Sequence, residues 1–282
     1  MLRVALPVTL DEAVDALAGD PDAHVLAGGT DFCVEVNYGL RRPPAVVALR
    51  RVGELKGWRV SEEGIVLGAG MTYTDMTREL GAVMPALAAA ARTVGSPQIR
   101  NAGTLGGNIA TASPAGDTLP VLAALDARIT VRGPAGERVV RLPELITGVK
   151  RTSLQPGEIV VAAAVDRVRG PQQFLKVGTR NAMVIAIASA AVVLDLDRRQ
   201  VRCALGSVGP VPIRAREAER MIAEEIDWAR PGLGQPALER FGEMVASECA
   251  PITDHRSTAD YRRRAVSVIA WRGLRRCLHD AA

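Results

Sequence analysis

Two short stretches contain the residues whose types and spacing suit an anionic ligand. The first, Ala27-Gly28-Gly29-Thr30-Asp31, lies between an apolar run, His24–Leu26, and a helical stretch predicted from Asp31. Paired glycines permit φ > 0 and let the backbone approach a ligand closely. Successive amides at a helix start make a site for phosphate oxygens, and Thr30 adds a hydroxyl donor. Asp31 would repel phosphate, so its expected role is to cap the helix or to accept from a sugar hydroxyl. A tight strand-to-helix turn explains this pentapeptide equally well.

The second stretch, Arg100-Asn101-Ala102-Gly103-Thr104-Leu105-Gly106-Gly107-Asn108-Ile109, is richer. Its glycines are expected to expose amides, and the Asn108 side chain can both donate and accept. A plain turn does not need so many glycines beside the buried-looking Leu105 and Ile109. Neither loop fits GxGxxG or GxxxxGK[ST], which disfavours a Rossmann dinucleotide site and a P-loop. The expectation is therefore that free backbone amides of two separate turns converge on one diphosphate.

The elements that must position these loops fall into three blocks. Thr9 and Glu12 form a capping box for a helix running to about Ala18, with Glu12 returning to the Thr9 amide. With strands at His24–Leu26 and Ala45–Leu49 this makes a small α/β unit. From Trp58 onward the pattern predicts strands at 64–68, 128–131, 139–142 and 159–165 and helices at 74–80, 85–94 and 118–126. Between these, Gly95–Asp117 reads as a long loop kept ordered by Ile99, Leu105 and Ile109. After a linker at Arg167–Pro171, strands at 174–177, 186–196 and 201–207 suggest an antiparallel sheet. Helices at 214–222, 236–250 and 261–278 would pack on it. In the last of these Tyr261, Ala265, Val268, Trp271, Leu274 and Leu278 share one face. That stripe is read as packing on the chain's own sheet in preference to a partner.

Composition narrows the function. The chain has 282 residues, 48% hydrophobic and 23% charged, which suits two domains of a globular protein. The formal charge of +4 is scattered and aromatics are only 3%, so nucleic acid is not an expected partner. No transmembrane segment is expected, because the longest apolar run, Ala182–Leu194, is too short to span a bilayer. The start lacks the features of a secretory signal, so a cytoplasmic protein is expected. The four cysteines and three histidines show no CxxC, HxxxH or HExxH spacing, so a metal site held by this chain is not expected. No catalytic triad suggests itself. Any redox chemistry would need an organic cofactor.

The run Thr93–Ala110 closely resembles the FAD-binding subunit of the molybdenum hydroxylases, the family of carbon monoxide dehydrogenase and xanthine dehydrogenase. The likeness continues through Thr111–Pro120, and Ala27–Asp31 resembles that family's first FAD loop. Pro7–Ala13, Ala204–Arg214 and Tyr261–Arg264 are similar to its opening and its C-terminal domain, so the resemblance covers essentially the whole chain. It implies an α+β fold: a two-subdomain FAD-binding fold of the PCMH type at 1–168 (subdomains about 1–52 and 53–168), then a C-terminal flavoprotein domain at 169–282 with antiparallel sheet and helices.

The resemblance also implies a cofactor, FAD, and its contacts. Leu26, Ala27, Gly28, Gly29, Thr30, Asp31 and Phe32 would form the first cofactor loop, and Thr104, Leu105, Gly106, Gly107 and Asn108 the second. Asp117 matches a carboxylate that contacts the cofactor's hydroxyls; by its position alone it also reads as a helix cap. Lys176 aligns with a lysine near the isoalloxazine, where a cation stabilises the reduced flavin; the alternative is a solvated strand lysine. Val184 stands where many relatives carry an acidic residue, which leaves the electron acceptor open. Molybdopterin and iron–sulfur clusters are expected in other chains, a large molybdopterin-binding subunit and a small iron–sulfur subunit, in a dimer of heterotrimers. The competing readings are a self-contained flavin oxidoreductase and a non-enzymatic module for another phosphorylated ligand.

Overall fold

The computed structural model of the chain describes residues 2–61 and 64–282. Its first unit is a parallel sheet in the order Arg3–Ala5, Ala45–Ala48, Ala23–Leu26. The helix Leu10–Ala18 covers it with Ala13, Val14 and Leu17. Thr9 caps that helix as expected, accepting from the Glu12 amide. The Glu12 carboxylate, however, bonds the Val8 amide at 2.8 Å, one residue before the expected Thr9. The strand Arg3–Ala5 was not anticipated; it is three residues long and its side chains are largely exposed, so no apolar alternation marks it.

The second unit is an antiparallel sheet with the all-apolar Ile159–Val165 at its centre. Gly64–Gly68 and Arg128–Gly133 flank that strand, and Trp58–Ser61 and Gly136–Arg141 form the edges. Helices Tyr73–Glu79 and Pro85–Thr93 pack on each other, and the second of them lies against the strand Gln172–Val177. The stretch expected as one long loop instead contains two short helices, Pro97–Ala102 and Leu105–Thr111. Ser96 and Thr104 start them by accepting from the amides three residues on. Gly106 and Gly107 hid the second helix, because glycine weighs against helix wherever tertiary packing does not repay it, and the first is only six residues long between Gly95 and Gly103.

The third unit is an antiparallel sheet of Gln172–Val177, Ala188–Asp195, Gln200–Gly206 and Ile213–Arg214. Ala188–Asp195 is buried along its whole length. Ala191 and Val193 face the core of the first two units, while Ala190, Val192 and Leu194 face the C-terminal helices. Burial on both faces explains why this strand reads as a continuous apolar run.

Helices Arg216–Glu225, Gln235–Ser247 and Ala259–Ala281 complete the unit. The last of them does pack on its own sheet, but its buried face is turned by about one residue from the expected stripe. Arg262, Val266, Ile269, Ala270, Gly273, Leu274, Cys277 and Leu278 are buried, whereas Tyr261 is 52% exposed. Two residues set the phase. Gly273 lets the helix approach Leu175 and Val192, and Arg262 is buried because it donates to Ile187 O, Ser207 O and Asp254.

Candidate functional site

The first two units meet at a cleft of about 570 Å³, within the roughly 300–1,000 Å³ usual for small-molecule sites. The two glycine-rich loops touch in its wall. A Cβ on Gly28 would lie 1.9 Å from the Ala102 carbonyl oxygen and 2.9 Å from Gly103 Cα, so only glycine lets the first loop rest on the second. Gly29, at φ +73°, turns the chain toward the helix Phe32–Asn37. Ala27 through Phe32 all line the cleft, as do Thr104, Gly106, Gly107 and Asn108. Leu26 ends its strand and Leu105 is fully buried in the core; neither lines the cleft.

The two loops differ in what their amides do. Those of Gly28, Gly29, Thr30 and Asp31 meet no protein acceptor among the described residues. Those of the second loop are already used: Leu105 N donates to Met71 O at 2.9 Å, Gly106 N to Ala69 O at 2.7 Å and Asn108 N to Thr104 O at 3.0 Å. Gly107 N donates to Thr104 Oγ1 at 3.1 Å. The expectation that both loops present free amides is therefore corrected. Thr104 caps the helix, and the strand bridge Thr72–Thr104 draws the loop onto the chain around 69–71, which consumes its donors. The glycines there serve close approach: a Cβ on Gly106 would sit 2.6 Å from that of Ala69. Gly107 has only the Thr104 hydroxyl in reach and otherwise adjoins open cleft.

Asp31 precedes the helix Phe32–Asn37 but makes no capping bond, and the same holds for Asp117 before the helix Thr118–Ala124. The capping alternatives for both carboxylates are thus not realised. Asp117 and Lys176, 59 positions apart, form a buried ion pair of 2.5 Å behind the cleft wall. Lys176 also donates to Thr93 O, and Thr93 Oγ1 to Asp117. The solvated-lysine reading fails, since the Lys176 side chain is only 9% exposed. Asp117 Oδ1 is buried with no partner among the described residues. Burial pushes the Asp117 carboxyl up, and the Lys176 ammonium opposes that shift. Asn108 ties this layer to the cleft: it lines the cleft and accepts from Thr118 Oγ1 at 2.6 Å. Val184 packs against Gly178 in the loop after Lys176.

Arg41, Arg50, Lys56, Tyr73 and Lys150 also line the cleft and were not anticipated. They arrive from separate segments, and nothing in their local sequence marks them. Burial raises the Tyr73 phenol well above its usual range, with help from Asp31 and Asp117, so it stays a neutral donor. Among the described residues no cluster of His, Cys, Asp and Glu suits a metal ion. No helix among them is long and apolar enough to cross a membrane.

Open amides beside a side-chain-free floor suit a diphosphate, and the orphaned Asp117 Oδ1 suits a hydroxyl donor. Those features define a dinucleotide-type cofactor cleft between two α/β units, and wider comparison gives it a family. Residues 1–165 match the FAD binding domain in molybdopterin dehydrogenase and residues 173–277 match the CO dehydrogenase flavoprotein C-terminal domain. The chain belongs to this flavoprotein family and is a FAD-binding subunit of the molybdenum hydroxylase type, an oxidoreductase component. It is 30% identical over 270 residues to the xanthine dehydrogenase FAD-binding subunit of Escherichia coli O157:H7, covering 93% of this chain and 90% of that one. It is 29% identical over 279 residues to the carbon monoxide dehydrogenase medium chain of Afipia carboxidovorans, covering 96% and 94%. A chain of the Cu,Mo-CO dehydrogenase crystal structure, cyanide-inactivated form, superimposes with a TM-score of 0.89 at 28% identity, covering 100% of this chain and 98% of that chain.

Proposed function

We propose that this chain takes electrons from an iron–sulfur partner subunit and passes them to an external acceptor, while a large molybdopterin-binding subunit oxidises the substrate. The observation that carries this is the row of unused amides from Gly28 to Asp31 in a chain whose two halves both match flavoproteins. Division into a FAD-binding domain at 1–168, with subdomains at about 1–52 and 53–168, and a C-terminal domain at 169–282 is part of the same proposal. So is a dimer of heterotrimers. The four free cysteines support a reducing compartment, the cytoplasm.

FAD, when bound, accepts electrons one at a time and releases them as a pair. Everything else is done by the protein, as position and electrostatics. The amides of Gly28–Asp31 hold the diphosphate, and Thr30 adds its hydroxyl. Thr104, Gly106, Gly107 and Asn108 keep the floor clear. Phe32 closes one end of the first loop, and Leu26 and Leu105 anchor the two loops in their sheet and core. Asp117 offers its unpaired Oδ1 to a cofactor hydroxyl, and Lys176 opposes the upward push of burial on that carboxyl while adding positive charge on the flavin side. No general base or nucleophile is assigned.

The test is isolation from native cells. Co-purification with molybdenum and iron, and FAD released on denaturation, are expected. Direct reduction of the isolated flavoprotein by an organic substrate, with no partner chain recovered, would replace this proposal with a self-contained flavin oxidoreductase.

A further inference from the structure

The helices that begin at the two loops are tied together at their far ends. Glu35 lies on Phe32–Asn37, the helix that follows the first loop. Lys150 lies in the turn between the short strands Ile146–Gly148 and Arg151–Thr152. The Lys150 amide donates to Ala112 O at 3.0 Å, and Ala112 is the left-handed cap of the helix Leu105–Thr111 that the second loop opens. From this anchor the Lys150 ammonium reaches Glu35 Oε1, 115 positions away in sequence, at 3.4 Å. Lys150 itself sits at φ +52°, a conformation lysine seldom adopts. Both side chains line the cleft. The other Glu35 oxygen accepts from Arg41 at 2.9 Å, and Arg41 lies over the Phe32 ring at 5.2 Å.

The cleft is therefore closed at two places of unlike chemistry. At the loops, Gly28 rests on Ala102 by backbone contact, with no side chain between them. Across the helices, closure is a partly exposed ion pair that can break and re-form. We propose that Glu35 and Lys150 are positioning residues that form a strap across the cofactor cleft, and that breaking this strap is the step that lets FAD leave and enter. This rests on the cleft being where FAD is held. Arg41 keeps the Glu35 end charged while the strap is open. Burial alone would raise the Glu35 carboxyl, but Arg41 and Lys150 hold it below its usual value.

The experiment is FAD release from the full-length chain, followed by the rise of flavin fluorescence after large dilution into flavin-free buffer. Lys150→Met is expected to release FAD about two- to fivefold faster than wild type at low salt, the range of a partly exposed pair. Added sodium chloride should quicken wild-type release and leave the variant unchanged, and Lys150→Arg should restore the wild-type rate. Glu35→Gln separates a strap from a lysine that binds phosphate directly. A strap predicts faster release, whereas a freed Lys150 and Arg41 attracting the diphosphate would slow it. Unchanged release in Lys150→Met, or slower release in Glu35→Gln, overturns the proposal while FAD still loads. Failure of the wild-type chain to load FAD would instead overturn the placement of the cofactor.

Discussion

Gly28 and Gly107 are both glycines for want of room, but the space belongs to different neighbours. At Gly28 the neighbour is the protein's own backbone, with 1.9 Å between a notional Cβ and Ala102 O. Gly28→Ala is expected to separate the loops, lowering both thermal stability and FAD content. At Gly107 the space is the cleft itself. Gly107→Val should leave the fold nearly intact by circular dichroism yet abolish FAD loading, and normal loading would contradict the placement of the second loop. Lys176 is a third case. Lys176→Met strands a carboxylate that is 5% exposed, a change of the kind that costs about 3–5 kcal/mol. It should also lower the flavin potential, because a cation that favours the reduced anion is gone. An unchanged potential in a folded, loaded variant would remove that role.

At the scale of elements, the C-terminal helix shows how a correct period can carry the wrong phase. Tyr261 and Leu274 belong to the same apolar stripe in the sequence, yet only Leu274 is buried in the structure. Leu274→Ala is expected to cost about 2–5 kcal/mol, and Tyr261→Ser less than about 0.5 kcal/mol, both measured by urea unfolding. The turn that starts this helix carries a pH dependence. Asp254 accepts from the amides of Arg256 and Ser257 and from Arg262. The Arg256 amide, the Arg262 guanidinium and the Ser257 amide together hold its carboxyl down at about 2. An unfolded aspartate titrates at about 3.9, so this stabilisation is complete above that pH and is lost as pH falls through about 2. Asp254→Asn should flatten the stability curve across that interval.

At the scale of the molecule, the third sheet is shared property. One face of Ala188–Asp195 completes the core of the first two units and the other faces the C-terminal helices. Charged groups fasten the same junction. Asp126 receives Arg214 at 2.9 Å and Arg202 at 3.6 Å, and Arg214 also binds Glu219 and Ala123 O. The Ser207 amide bonds Pro114 O. The chain is therefore expected to unfold in one transition, with far-UV circular dichroism and flavin release coincident. Asp126→Ala should cost about 1.5–3 kcal/mol and pull the two signals apart.

What could be read along the chain was local. Turn chemistry at the glycines, the Thr9 cap, the central strand at 159–165 and the helices of the C-terminal half each depend on neighbours within a few positions, so composition and period suffice for them. The contacts that decide the site join residues far apart: Gly28 with Ala102, Asp117 with Lys176, Glu35 with Lys150. Sequence left the amides at 28–31 and at 105–108 equally open to a ligand. Which of them are free was decided by the carbonyls of Ala69 and Met71, brought over the second loop by tertiary packing. A backbone amide bonds the nearest well-placed acceptor, and chain order does not specify which acceptor that is.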